Sequence, residues 1–108
     1  MSHITTHVLD ASTGRPASGV RVSLATGDGV GIAADVTDER GRVAELGPER
    51  LEPGAYRLSF AIGDYFAASG RETFYPAVSI DFSVADADEH YHVPLLISPF
   101  SYSTYRGN

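Results

Sequence analysis

The sequence predicts an all-β sandwich of two stacked sheets with one short helix. Three observations carry this expectation. Apolar residues recur at every second position in several segments, the period of a strand with one buried face. Turn-forming clusters separate those segments at intervals of about ten residues, as in sandwich folds. One segment alone departs from period two. The chain has 108 residues, which suits a single domain spanning 1–108 that hides about 60–70% of its unfolded surface.

The elements follow in order. "ITTHVL" reads as a first strand with imperfect alternation. "VRVSLAT" puts Val20, Val22 and Leu24 on one face and Arg21, Ser23 and Ala25 on the other. "AYRLSFAI" does the same with Tyr56, Leu58, Phe60 and Ile62, and "AVSIDFSV" with Val78, Ile80, Phe82 and Val84. "HYHVPLLI" is apolar on both sides beyond His92, which suits a strand covered on both faces. Pro94 within it predicts an edge, a bulge or an N–H position without a partner. "STGRPASG", "TGDGVG", "DERG", "EPG" and "ADADE" are the turns. "GDYFAASGRE" is the exception: Asp64 as N-cap and Gly70 as C-cap predict a short helix. "SYSTYRGN", with two tyrosines and alternating hydroxyls, predicts a final strand that is tied down rather than frayed. The sum is seven or eight strands.

Composition removes several chemistries. Cysteine is absent, so disulfides, thiolate metal sites and a cysteine nucleophile are excluded. All eight basic residues are arginine, which excludes lysine Schiff bases and the P-loop. The net charge is −6 and the arginines form no stripe, so no nucleic-acid partner is expected. No apolar run approaches the length of a membrane span, and "MSHITTHVLD" has neither a basic start nor an apolar signal core. A cytoplasmic protein without a membrane partner is the expectation. "GDGVG" has no helix after it and reads as a turn, not a nucleotide site. Asp10 and Asp81 are expected to be solvated.

The candidate site residues sit near the two ends. By strand parity, His3, Thr5 and His7 share a face, as do His90 and His92. The first strand and a late one are often neighbours, so the two faces could merge. A surface histidine is most often only a solvated side chain. The H-x-H pair with a third histidine could hold zinc, but no third ligand stands at a diagnostic spacing. Arg42, just after a glycine turn, is either an exposed turn residue or a guanidinium fork for a carbonyl or planar anion.

"THVLD", "TGRPA", "TDERGR", "GDYF", "FYP", "HYHVPLL" and "YSTYRG" together resemble the 5-hydroxyisourate hydrolases, the transthyretin-related proteins of purine breakdown. The resemblance spans nearly the whole chain, and the block from "HYHVPLL" to "YSTYRG" is its most specific part. It implies a transthyretin-like sandwich of two four-stranded sheets with one short helix. It also implies a homotetramer, a dimer of dimers, with sites in a channel at the dimer–dimer interface. Its catalytic set falls on His7, Arg42 and His92, and its substrate-binding C-terminal tetrapeptide on Tyr105, Arg106, Gly107 and Asn108. The last of these departs from the pattern, with asparagine where serine is usual. Activity is expected to survive that change, with substrate positioning the part affected.

The implied reaction opens the six-membered ring of 5-hydroxyisourate, giving 2-oxo-4-hydroxy-4-carboxy-5-ureidoimidazoline, with no metal or organic cofactor. His7 and His92 would share water activation and proton return, and Arg42 would hold the ring. The alternative is a small-ligand carrier like transthyretin, which shares the fold but lacks the His/Arg/His set and the tail.

Overall fold

Residue parity along the first strand organises the molecule. In the computed structural model, which describes residues 2–108, Ile4–Asp10 forms strand β1 with every second residue buried. The alternation is regular after all. It is obscured in the sequence because two polar residues, Thr6 and Asp10, sit on the inner face. Thr6 Oγ1 donates to the Val93 carbonyl at 2.6 Å. Asp10 accepts from the Ser12 N–H at 3.0 Å, the Tyr65 hydroxyl at 2.9 Å and Arg71 Nη2 at 2.8 Å. The expectation of a solvated Asp10 is therefore corrected: the residue is wholly buried. Its partners Tyr65 and Arg71 lie 55 and 61 residues downstream, beyond the reach of any local pattern. Asp81, by contrast, is exposed and pairs with Arg57 at 2.7 Å.

The remaining strands are β2 (Arg15–Pro16), β3 (Arg21–Thr26), β4 (Gly31–Val36), β5 (Arg42–Val43), β6 (Gly54–Phe60), β7 (Val78–Val84), β8 (Tyr91–Ser98) and β9 (Ser101–Thr104). One sheet has the order β4-β3-β6-β7, all antiparallel. The other has the order β2-β1-β8-β9, with β5 also pairing β1. That sheet counts five strands rather than four because two two-residue strands, β2 and β5, share β1 as their partner. β1 and β8 run parallel in direct contact over seven residue pairs, Ile4↔Tyr91 through Asp10↔Ile97. Terminal segments of the chain are thus adjacent in space.

The core lies between the sheets. Val22, Leu24, Leu58 and Phe60 from one sheet meet Ile4, Val8, Leu95 and Ile97 from the other, all of them fully buried. Burial of each such side chain stabilises the fold by about 1.5–3 kcal/mol.

Pro94 is in a central strand, not at an edge. His92 accepts from the Gly107 N–H at 2.8 Å, and Pro94 accepts from Thr104 Oγ1 at 2.7 Å, so both face the β9 side. β9 pairs only as far as Leu95↔Thr104, and the chain rejoins at the bridge His92↔Gly107. The missing N–H of Pro94 falls in that gap, where no ladder bond is required.

Helix α1 spans Ile62–Ala68. It begins earlier than the sequence suggested: Ala61, not Asp64, is the N-cap, and Asp64 lies in the first turn, where its charge suits the helix dipole. Ile62 accordingly leaves the strand and packs from the helix, fully buried with Phe66. The end is closed by a Schellman pair. Arg71 N–H donates to Phe66 O at 3.0 Å and Gly70 N–H to Ala67 O at 3.0 Å, and Gly70 takes φ +70°.

Candidate active site

The site begins with a turn. In "TDERGR", Asp38 Oδ1 accepts the backbone N–H of Arg40 at 2.8 Å and of Arg42 at 3.0 Å. Gly41 has φ +75°, and a Cβ there would stand 2.3 Å from the Val8 carbonyl oxygen. Only glycine allows that approach. The turn delivers β5 onto the outer edge of β1, with Arg42 directly opposite His7. Paired residues of neighbouring strands project from the same face.

The other edge of β1 carries β8 in parallel register, with Thr5 opposite His92 and His7 opposite Pro94. Thr5 and His7 are two residues apart on β1 and half-buried, as is His92. Arg42, His7, Thr5 and His92 therefore share one outward face of the sheet. Thr5 Oγ1 lies 2.8 Å from His92 Nδ1 and 2.9 Å from Nε2 of His90, the exposed residue just before β8. Arg42, His90, His92, Thr5 and Asn108 line a cleft of about 270 Å³.

Both candidate bases are held neutral. Burial lowers the pKa of His7 below its ordinary value, and the Arg42 guanidinium lowers it further. Burial likewise lowers that of His92, with Arg42, His7 and His90 adding to the effect. Asp38 is held below the usual carboxylate range by the two backbone N–H groups it accepts, that of Arg42 foremost. At neutral pH the face thus presents two uncharged imidazoles beside a fixed cation.

His3 does not join them. It is 4% exposed, outside the strand, and locked by two backbone contacts: Leu51 N–H donates to its Nδ1 at 2.8 Å, and its Nε2 meets the Glu89 carbonyl at 2.5 Å. Strand parity failed for His3 because the strand starts only at Ile4. Among the described residues, no group of three or more His, Cys, Asp or Glu side chains is arranged to hold a metal ion.

The tail is tied down by the Gly107–His92 bridge. A Cβ at Gly107 would stand 2.7 Å from His92 Cδ2, so the imidazole packs directly on that glycine. Asn108 reaches the cleft. Tyr105 and Arg106 line an adjoining groove of about 410 Å³ beside Phe82 and Tyr91, which His92 borders as well. Arg106 pairs with Glu89 at 2.8 Å and sits 4.5 Å over the Tyr91 ring. Thr5 is the contact that motif reading did not single out. Its only signal in the sequence is that it shares parity with His7.

A two-sheet sandwich carrying imidazoles and a guanidinium on the outer face of one sheet, with an ordered tail beside them, is a transthyretin-like protein with a cleft lined by basic side chains. The chain belongs to the HIUase/Transthyretin family, whose model matches residues 4–107. It is 49% identical to the 5-hydroxyisourate hydrolase of Caulobacter vibrioides over 115 aligned positions, covering 100% of both chains. The structure of Klebsiella pneumoniae 5-hydroxyisourate hydrolase superposes with a TM-score of 0.90 at 44% identity, over 97% of this chain and 98% of that one. Transthyretin from Sparus aurata superposes with a TM-score of 0.91 at 32% identity, over 99% of this chain and 97% of that one.

Proposed function

We infer that this chain is a hydrolase that opens the ring of 5-hydroxyisourate, a step of urate breakdown. The observation that carries the reading is the β5–β1–β8 register, which sets Arg42 opposite His7 and Thr5 opposite His92 on one face. The names of the relatives support it. Backbone similarity does not separate enzyme from carrier, since a transthyretin superposes as closely as a hydrolase. The chemistry of the cleft does. A carrier has no need of two neutral bases next to a cation.

In the proposed mechanism, His92 and His7 are the catalytic imidazoles. One takes a proton from a water molecule as its oxygen bonds to the ring carbonyl carbon. The carbon–nitrogen bond then breaks, and the proton returns to the leaving nitrogen, giving an N–H and a carboxylic acid that releases its proton to solvent as the carboxylate. Arg42 donates to the carbonyl oxygen as it gains negative charge. Its side chain lines the cleft, where the guanidinium donors can reach the substrate. Of the tetrapeptide, Asn108 contacts the ring from the cleft wall. Gly107 gives His92 its room, and Tyr105 and Arg106 shape the adjoining groove.

We further propose that residues 1–108 form one domain that assembles as a homotetramer. Two observations support association: the sheets end in open edges, among them the four- and seven-residue strands β9 and β7, and Phe74, Phe100 and Tyr105 are 71%, 67% and 61% exposed. The enzyme reading is tested by ultraviolet spectroscopy on freshly generated 5-hydroxyisourate. Catalytic protein accelerates its decay at substoichiometric amounts. Binding without faster decay identifies a carrier.

A further inference from the structure

The hydroxyl of Thr5 stands between two imidazoles, 2.8 Å from His92 Nδ1 and 2.9 Å from His90 Nε2. A hydroxyl has one proton to give and lone pairs to receive. If Thr5 donates to His90 Nε2, it accepts from His92 Nδ1–H, and His92 Nε2 is free to act as a base. If it donates to His92 Nδ1, it accepts from His90 Nε2–H, and His92 Nε2 carries a proton. The two arrangements are the base and the acid forms of one site, and they interconvert by proton shifts along a single line.

We propose that Thr5 and His90 form a proton relay behind His92, with His90 storing the proton that His92 removes from the attacking water. The proposal rests on the reading of His92 as a water-activating base. The protons balance as follows. His92 Nε2 takes a proton from water while that water's oxygen bonds to the carbonyl carbon. His92 Nδ1 passes its proton to Thr5 Oγ1, which passes its own to His90 Nε2. The positive charge now rests on His90. When the carbon–nitrogen bond breaks, His92 Nε2–H protonates the leaving nitrogen, and the line runs backward, restoring neutral His90.

The surroundings give the direction. A charged His92 would be half-buried with Arg42 and His7 beside it, and these disfavour its protonation. His90 is exposed to water and adjoins Glu89, whose carboxylate pairs with Arg106 at the same rim. Moving the charge one imidazole outward takes it away from the cation and into solvent. Both Thr5 and His90 act through His92 and are positioning residues.

The test compares wild type with Thr5→Val, Thr5→Ser, His90→Ala and His92→Ala in the ultraviolet assay, with circular dichroism to establish folding. Thr5→Val should lower kcat about 10²-fold with KM changed by no more than about twofold, and Thr5→Ser should recover most of the loss. His90→Ala should lower kcat similarly. Because that position is open to solvent, added imidazole should restore turnover in His90→Ala in a saturable way. It should not do so in the double variant that also carries Thr5→Val. Wild-type kcat in folded Thr5→Val or His90→Ala would overturn the relay, as would imidazole rescue that survives loss of the Thr5 hydroxyl, or no rescue at all. If His92→Ala alone keeps full activity, the base assignment itself fails, which is a separate result.

Discussion

Arg42 shows how one residue sets the chemistry of others. Its guanidinium lowers the proton affinity of both His7 and His92, after burial, which is the largest cause for each. The sign of the pH dependence follows. In the proposed mechanism the reactive form is the neutral imidazole, so kcat/KM should rise with pH, reach a plateau, and have its acid limb below the reference imidazole value of about 6.5. Removing the cation in Arg42→Ala should move that limb upward but not the whole way, because burial remains. A pH–rate profile of both proteins checks this, and an unchanged limb would show that Arg42 does not reach the bases. Much of the site was legible at this scale. The family resemblance points to His7, Arg42 and His92 together, whereas the residues alone leave Arg42 open between an exposed turn residue and a guanidinium fork. Strand parity groups His3 with them, and the sequence alone reads Asp10 as solvated, whereas both are buried. In both cases the deciding partners are distant in sequence: Leu51 and Glu89 for one, Tyr65 and Arg71 for the other.

At the scale of elements, Asp10 joins the end of β1 to helix α1. Its carboxylate accepts from Tyr65 within the helix and from Arg71 just beyond it, while the Arg71 guanidinium lies 4.8 Å over the Phe66 ring. Burial alone would raise the pKa of Asp10, but hydrogen bonds from Ser12, Arg71 and Tyr65 outweigh it and lower the value. The stabilisation is therefore present above the unfolded carboxyl value of about 3.9 and is lost as pH falls through the lower folded value. Asp10→Ala should cost about 2–3 kcal/mol, the range for buried hydrogen bonds to a charge, with the lower end favoured by the partial exposure of Arg71. Thermal unfolding at neutral pH reads the loss, and the gap between variant and wild type should narrow in strong acid. A gap that persists there would assign the effect to packing instead. The alternating strands β3, β6 and β7 were legible because their inner faces are apolar throughout. β4 was not, since Gly31–Val36 is mostly exposed and carries no apolar face to alternate. The helix was found but entered late, because the apolar residue at Ile62 fits a strand pattern as well as a helix start.

Among the described residues each sheet ends in open edges, β4 and β7 in one and β9 with the short β2 and β5 in the other. An exposed edge invites a second chain. The tetramer proposed above predicts a solution mass of about four times the 11.5 kDa chain by light scattering. A monomer at assay concentrations with full activity would show that the cleft of one chain suffices. Which edges pair cannot be read from alternation, since interface and solvent both sit outside the core. Among the described residues, no helix is long and apolar enough to cross a membrane. The central claim is narrower than the assembly: the outward face built by β5, β1 and β8 performs the hydrolysis. The most direct measurement is turnover of freshly made 5-hydroxyisourate by His7→Ala and His92→Ala, each with its folded spectrum and thermal transition recorded. The account predicts native folding and a loss of about 10²–10⁴-fold in kcat for each. Wild-type turnover in either folded variant would contradict it.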